Sequence, residues 1–294
     1  MTSKIIIDAS NNFLYKLPLI GRLSSPLERR IMSHIIAFAN QKGGVGKTSS
    51  VISLSHALAL KDQRVLVLDL DPQGNSSRIL GKNLPSEQPR TVIDLFTKKT
   101  ALFSNTCVDS QVKGVKLIPS YLKLFEIERS MKEIERLSTL RTKLDDAVME
   151  EFDFILVDTP PNLGTFLLNS LIISHYVIIP IDAESIFAVE GLDGLLETIA
   201  DVKATLNPKL KLLKVLLTMV DGRTNTSKII KEQVQRAFDV DQVFKTTITK
   251  NTSVNKAHLQ GLTVFQDDRK ALAAKDYMKV AEELLACLNI SVAS

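Results

Sequence analysis

A short glycine-rich segment, Lys42-Gly43-Gly44-Val45-Gly46-Lys47-Thr48, carries the residue types that bind a phosphate chain. Glycines allow the backbone to curl so that successive N–H groups face an anion, and a helix that starts after the loop points the positive end of its dipole at the same anion. Lys47 is then placed to neutralise the outer phosphates, and the Thr48 hydroxyl to ligate Mg²⁺. The segment therefore predicts a site for ATP and Mg²⁺. The predicted nucleotide-binding residues are Gly43, Gly44, Val45, Gly46, Lys47, Thr48 and Ser49.

The loop differs from the ordinary phosphate-binding pattern at two positions. The pattern G-x-x-x-x-G-K-[ST] needs a glycine where this chain has Gln41, and a second lysine, Lys42, follows at once. With this second lysine the chain resembles the deviant Walker A ATPases, and among them the ParA/Soj partition proteins together with the MinD cell-division proteins. The resemblance implies that Lys42 reaches across a dimer interface to the nucleotide of the other subunit. A cation supplied in this way stabilises the charge that develops during phosphoryl transfer, as an arginine finger does.

Aspartates follow two apolar runs elsewhere in the chain. Asp69 and Asp71 come at the end of the run that starts at Val65, and Asp158 closes Phe154-Ile155-Leu156-Val157. Alternation along a strand puts Asp69 and Asp71 on the same side, and α/β proteins bind ligands where parallel strands end. The run before Asp158 is typical of a Walker B strand, whose carboxylate holds Mg²⁺ directly or through water. The resemblance assigns Asp71 to positioning the attacking water and Asp69 to the magnesium environment.

These assignments define two predicted sets. The predicted catalytic residues are Lys42, Lys47 and Asp71. The predicted metal-site residues are Thr48, Asp69 and Asp158.

Short apolar runs alternate with helical stretches from residue 35 onward. This alternation is typical of a parallel sheet covered on both faces, and the nearly continuous Val, Ile and Leu of most runs indicate strands buried on both sides. The predicted fold is a single doubly wound, mostly parallel α/β sheet with helices on both faces, of the P-loop NTPase type. The predicted strands are Ile35–Asn40, Arg64–Asp69, Val115–Pro119, Phe154–Asp158, Tyr176–Ile181, Leu212–Val220 and Val243–Ile248. The predicted helices are Thr48–Leu60, Leu122–Leu137, Leu163–Ser174, Phe187–Leu206, Ser227–Phe238 and Lys270–Leu288.

Residues 1–33 stand apart from this alternation and form a predicted N-terminal extension, whereas residues 34–294 form the predicted ATPase domain. In the extension, Ser25-Pro26-Leu27-Glu28 offers a helix N-cap, a proline at the first helical position and a glutamate three residues after the cap. A short helix is therefore expected, either to cover a sheet edge, which is the simpler interpretation, or as an arm that contacts DNA or a partner. An extension of this length is short for a helix-turn-helix domain with its own core, so sequence-specific DNA recognition is not expected.

The composition excludes several classes of protein. The 294 residues are 45% apolar and 24% charged, which is ordinary for a soluble globular protein. Asp8, Lys16 and Pro18 interrupt any signal-peptide core, and the longest uncharged run contains too many polar residues to span a membrane. The only two cysteines, Cys107 and Cys287, form no C-x-x-C pair, which argues against a metal-cluster protein of the same fold. A reducing cytoplasm is therefore expected, and the resemblance to ParA/Soj proteins implies a bacterial one.

Basic residues are concentrated in the last third of the chain. Residues 203–256 hold 11 Lys or Arg and 4 Asp or Glu, a net charge of +7 within a chain whose total is +4. Such a stretch indicates either solvated helix faces or a surface for a polyanion. Segments similar to ParA/Soj proteins are Leu117–Ser120, Phe187–Gly191, Leu217–Asn225 and Thr247–Asn251, although the family usually has Pro-Arg at positions 249 and 250. Arg223 and Lys250 match basic residues of the family and are the predicted DNA contacts, followed by Lys228, Lys231 and Lys256.

The resemblance implies a molecular switch. In this hypothesis ATP closes a sandwich homodimer that binds nonspecific double-stranded DNA on the nucleoid, and a ParB-like centromere-binding partner stimulates weak hydrolysis and releases it. Plasmid or chromosome DNA is moved in this way. Membrane anchoring of the MinD kind is not expected, because the residues from Asp276 to the end have mixed charges and no basic amphipathic face. The alternative is an ATPase that positions a protein cargo or a division factor without segregating DNA.

Overall fold

Seven strands form one sheet in the computed structural model, which describes residues 33–130, 137, 139–185 and 188–290. The strands are β1 His34–Phe38, β2 Val65–Asp69, β3 Val108–Asp109, β4 Val115–Ile118, β5 Phe154–Asp158, β6 Tyr176–Asp182 and β7 Lys211–Thr218. Their order in the sheet is β3-β4-β2-β5-β1-β6-β7, and every pairing is parallel except that of β3 with β4. The predicted doubly wound, mostly parallel sheet is confirmed. The short helix predicted within residues 1–33 lies outside the described residues.

Two apolar cores lie on the two faces of the sheet because side chains alternate along each strand. Ile35 and Ala37 of β1 belong to one core, while Ile36 and Phe38 belong to the other, and all four are fully buried. Burial on both faces is what the continuous apolar runs predicted. The carboxyl ends of β1, β2 and β5 meet at one edge of the sheet, since β1 and β2 both pair with β5 in parallel.

The helices that follow the strands cover both faces. In chain order they are α1 Lys47–Ala59, α2 Asn75–Leu80, α3 Val92–Thr97, α4 Phe103–Thr106, α5 Leu124–Ser130, α6 Thr139–Lys143, α7 Asp146–Glu151, α8 Thr165–Ile173, α9 Asp193–Thr205, α10 Asn225–Ala237, α11 Ser253–Leu259, α12 Val264–Asp267 and α13 Leu272–Cys287. The sequence predicted the long members α1, α8, α10 and α13 to within a few residues. It predicted the end of α9 but placed its start at Phe187, whereas the helix begins at Asp193. The helix α5 lies within the predicted helix Leu122–Leu137, part of which falls outside the described residues. The sequence did not predict the other short helices, whose four to seven residues are too few to establish a helical period.

The predicted strand Val243–Ile248 is wrong. The N–H groups of Phe244 and Ile248 do bond to carbonyl oxygens of β7. Those of Lys245 and Thr246 are instead bound by the carboxylate of Glu283 on α13, at 2.8 and 3.1 Å. Because a helix side chain takes the amides that a strand ladder needs, the segment follows the sheet edge without becoming a strand.

Candidate functional site

The glycine-rich loop lies between the end of β1 and the first turn of α1. Gly44 and Gly46 have φ angles of +77° and +85°, in the left-handed region that favours glycine. Thr218, at the end of β7, fixes the loop from the side: its hydroxyl lies 2.9 Å from the carbonyl oxygen of Val45. A Cβ on Gly46 would meet the Thr218 methyl at 3.4 Å. The sequence predicted the loop and the helix after it, but gave no sign that Thr218 supports them.

The two lysines of the loop lie in different environments. Lys47 is buried at 6% exposure, and its ammonium donates a hydrogen bond to the carbonyl oxygen of Lys42 at 3.0 Å. Burial lowers the pKa of Lys47, and the carboxylates of Asp158 and Asp71 act in the opposite direction. The Lys42 side chain is exposed, and its ammonium donates to the hydroxyl of Ser185, which follows β6. One lysine therefore faces the interior of the site, while the other lies at its rim.

Asp158 ends β5 and is fully buried at the carboxyl edge of the sheet. Its Oδ2 accepts a hydrogen bond from the hydroxyl of Ser76 at 2.6 Å, and its Oδ1 has no partner among the described residues. Burial raises the pKa of Asp158; the Ser76 hydroxyl and, to a smaller extent, the nearby Thr48 hydroxyl act in the opposite direction. A buried carboxylate oxygen without a partner is costly unless a cation or water completes it.

Asp69 ends β2 beside Asp158, but both of its oxygens are occupied. Oδ1 accepts from the backbone N–H of Asp71 at 3.0 Å, while Oδ2 accepts from the N–H and hydroxyl of Ser77 at 2.9 and 2.6 Å. Burial and the neighbouring charge of Asp158 raise the pKa of Asp69 well above its usual value. In this arrangement Asp69 braces the chain from Asp71 to Ser77, and its place in the magnesium environment stays a prediction.

Asp71 follows β2, and its charge interacts with that of the loop lysine Lys47. Its side chain is 8% exposed, and its Oδ1 accepts from the N–H of Gln73 at 2.9 Å. Burial raises the pKa of Asp71, whereas the positive charge of Lys47 lowers it. Gly74 closes this turn with φ +62°, and a Cβ there would approach the carbonyl oxygen of Ser120 to 2.5 Å. The turn that carries Asp71 therefore needs a glycine at position 74.

The residues at this edge suit Mg²⁺. The unpartnered Asp158 oxygen and the Thr48 hydroxyl are the hard oxygen donors that Mg²⁺ prefers, and one or two protein ligands suffice because phosphate and water supply the rest. Within the described ranges, no group of three or more His, Cys, Asp or Glu side chains gathers into a metal cluster. The donor set therefore matches a cation that is held jointly with a phosphate chain.

A cavity of about 510 Å³ opens beside the loop, between the end of β7 and the segment at residues 248–255. Gly46 and Ser49 line it from the phosphate side, and Tyr277 of α13 closes its floor. Tyr277 is fully buried, and its hydroxyl lies 3.2 Å from that of Ser50 in α1. A cavity that begins at the phosphate loop has the place and the size for a nucleoside. The sequence did not predict this cavity, because its walls come from four separate parts of the chain.

The predicted DNA contacts Arg223 and Lys250 also line this cavity. Both are exposed and both are paired: Arg223 with Asp221 at 2.8 Å, and Lys250 with Glu184 at 2.7 Å. The pairing raises the pKa of each base. The role of both residues as DNA contacts stays a prediction. In each pair the carboxylate would compete with DNA phosphate for the basic side chain.

The remaining basic candidates are spread over two helices. Lys228 and Lys231 are exposed on α10, and Lys256 on α11 pairs with Asp267 at 3.1 Å.

Among the helices that the structure describes, no segment combines the length and apolar character needed to cross a bilayer.

Comparison with known proteins finds relatives that agree with one another in family. Residues 33–212 match the family described as an AAA domain. The chain is 36% identical to the sporulation initiation inhibitor protein Soj of Bacillus subtilis over 256 residues, which cover 87% of this chain and 99% of that protein. It is 34% identical to the chromosome partitioning protein ParA of Caulobacter vibrioides over 254 residues, which cover 86% and 94%. A solved structure of cobyrinic acid a,c-diamide synthase from Mycobacterium smegmatis with bound ADP and magnesium is 31% identical, with a TM-score of 0.73 and coverage of 88% and 96%.

Proposed function

The chain belongs to the ParA/Soj family of ATPases, and we propose that it is a magnesium-dependent ATPase that acts as a switch in DNA partitioning. ATP closes a homodimer that binds nonspecific double-stranded DNA, and hydrolysis releases it. A ParB-like centromere-binding partner stimulates the hydrolysis. The cargo is a plasmid or a chromosome, and the protein associates with the nucleoid.

The loop and the neighbouring strand ends supply the groups for this reaction. The backbone amides from Gly43 to Ser49 and the ammonium of Lys47 bind the phosphate chain, and Thr48 and Asp158 hold the metal. Mg²⁺ bound there neutralises charge on the phosphate oxygens. Asp71, whose carboxylate accepts a hydrogen bond from the N–H of Gln73 in its own turn, positions the attacking water.

The contrast between the two lysines is the observation that carries the proposal. Lys47 is buried and bonds to its own loop, whereas Lys42 is exposed at the rim of the site, a position from which it would reach the nucleotide of a second subunit in a dimer. Because this charge must arrive from another subunit, we expect hydrolysis by the isolated subunit to be slow. It also makes the chemistry depend on dimerisation, which is the property that a switch needs.

Support for DNA as the target comes from charge and from position. Residues 203–256 carry the net charge of +7, and phosphate neutralisation by Lys and Arg drives nonspecific DNA binding. Arg223 and Lys250 lie on the wall of the cavity beside the phosphate loop, so nucleotide and DNA would be bound close to each other. Because the two sites are close, a nucleotide bound in one would affect the residues that bind DNA in the other.

The test is binding to random-sequence duplex DNA with ATP, ADP or no nucleotide, at about 0.1 M salt, where phosphate contacts are still visible. ATP hydrolysis is measured in the same samples. We expect binding that requires ATP and Mg²⁺ and weakens as salt rises. Hydrolysis without DNA binding in any nucleotide state would favour an ATPase that positions a protein cargo or division factor. Absence of nucleotide binding would contradict the proposal altogether.

A further inference from the structure

Ser76 and Asp158 are 82 residues apart in the chain and are joined by a hydrogen bond of 2.6 Å. Both side chains are fully buried. The Ser76 hydroxyl donates to Oδ2, while Oδ1 of the same carboxylate has no partner among the described residues. One oxygen of Asp158 is thus fixed by the protein, and the other is left free to bind something else.

The next serine, Ser77, forms a different arrangement with the other buried aspartate, Asp69. The Ser77 hydroxyl donates to Asp69, whose two oxygens are both engaged, and accepts from the N–H of Ser120 at 2.8 Å. Ser77 therefore ties together groups that are all satisfied within the protein. Ser76 instead holds a carboxylate that still has an open oxygen, which is the arrangement found around a metal ligand.

We propose that Ser76 is a positioning residue for the metal site: its hydroxyl orients the Asp158 carboxylate so that Oδ1 is presented to Mg²⁺. This inference rests on the proposed function, since it takes Asp158 as a ligand of the nucleotide-bound metal. Hydrogen bonds from outer groups set the orientation of a ligating carboxylate, and their loss typically lowers metal affinity by about 10- to 100-fold.

The position of Ser76 also connects the metal ligand to the turn that carries Asp71. Ser76 lies in the first turn of α2, two residues after Gly74. Gly74 lies so close to the Ser120 carbonyl oxygen that a Cβ there would approach it to 2.5 Å. The turn and Ser76 therefore belong to one closely packed segment. A shift of this turn would therefore move the hydroxyl that orients Asp158, and would change the metal site and the water-positioning carboxylate at once.

The test compares Ser76→Ala with Ser55→Ala. Ser55 is equally buried and lies in α1, but its hydroxyl donates only to the carbonyl oxygen of Ile52, at 2.8 Å. The full chain is titrated with a fluorescent ATP analogue, once in EDTA and once over a series of MgCl₂ concentrations. We expect Ser76→Ala to raise the half-saturating Mg²⁺ concentration by about tenfold or more, while binding in EDTA stays within about twofold. Ser55→Ala should match the unaltered chain in both.

Two results would overturn the inference. One is an unchanged Mg²⁺ dependence in Ser76→Ala; the other is an equal loss of nucleotide affinity with and without Mg²⁺, which would show that the serine supports the loop and not the metal ligand. If Ser76→Ala does not fold, Ser76→Cys keeps the side-chain size with a weaker donor, and the same criterion applies to it. If the unaltered chain binds nucleotide without any response to Mg²⁺, the proposed function and the inference fail together, whereas failure of the variants alone leaves the proposed function standing.

Discussion

The ammonium of Lys47 lies 3.0 Å from the carbonyl oxygen of Lys42, so that one loop lysine bonds to the backbone of the other while their side chains point to different partners. This relationship predicts different defects for the two. Lys47→Ala should lose nucleotide affinity, because it removes the buried cation of the phosphate site. Lys42→Ala should bind ATP almost normally but hydrolyse it about 10³-fold more slowly, which is the size of effect seen when a cation supplied in trans is lost.

Both variants are measured by nucleotide binding and by steady-state hydrolysis. Lys113→Ala removes an exposed lysine just before β4, at the opposite edge of the sheet, and serves as the control. Normal turnover by Lys42→Ala would remove its proposed role in trans.

Asp71→Ala should separate binding from hydrolysis in a second way. The charge of Asp71 interacts with that of Lys47, but the side chain does not brace the sheet edge, since Asp69 does so. Loss of the water-positioning carboxylate should therefore leave ATP binding intact and trap the ATP-bound dimer. Size-exclusion chromatography with ATP should show a dimer that persists for the whole run, whereas the unaltered chain returns to monomer. Normal turnover by this variant would contradict the assignment.

The sequence was sufficient to predict the parts of the site that are continuous in the chain. The Walker B strand was predicted with its observed bounds, Phe154–Asp158, because an unbroken apolar run ends at a charged residue. The loop and α1 were predicted because glycine, lysine and threonine stand at fixed spacing. These features depend on local properties: the backbone freedom of glycine, the burial of apolar side chains and the position at which an apolar run ends.

The contacts between distant segments could not be predicted in this way. Thr218 bonds to the loop across 173 residues, and Ser76 reaches Asp158 across 82. A serine or threonine hydroxyl has no sequence signature for such a bond, since its partner is set by tertiary packing. The same reason explains the error at Val243–Ile248, where the decisive carboxylate of Glu283 comes from the third helix after the segment, α13.

Asp158→Asn should stabilise the protein in the absence of metal. Because burial raises the pKa of Asp158 in the folded state, the folded protein binds this proton more tightly than the unfolded chain does. The free energy of unfolding therefore falls as pH rises through the folded-state pKa, and is recovered as pH falls toward the ordinary value near 3.8. The variant has no such penalty, so it should be more stable by roughly 1–3 kcal/mol at neutral pH.

The difference between Asp158→Asn and the unaltered chain is measured by urea unfolding in EDTA over a series of pH values. It should shrink as pH falls, because both proteins are then neutral at position 158. Removing the charge of Asp158 also relieves Asp69, whose pKa that charge raises, and this change acts in the same direction. Adding Mg²⁺ with ATP should stabilise the unaltered chain more than the variant, because the variant keeps the phosphate loop but lacks the charged metal ligand. An Asp158→Asn protein that is less stable at neutral pH would show that the charged carboxylate is already satisfied in the folded state.

Glu184→Gln should strengthen DNA binding if Lys250 contacts phosphate. The Glu184 carboxylate lies 2.7 Å from the Lys250 ammonium and competes with DNA for it, and an exposed pair of this kind contributes little to folding. Neutralising Glu184 should raise the affinity for random duplex DNA severalfold at low salt, in the ATP state.

Lys250→Ala should lower the affinity for DNA and reduce the slope of log affinity against log salt by about one, as expected for one phosphate contact. Lys113→Ala removes the same charge far from this surface and should change neither quantity. If Glu184→Gln and Lys250→Ala both bind DNA like the unaltered chain, the basic surface lies elsewhere, and exposed Lys228 and Lys231 of α10 become the residues to replace.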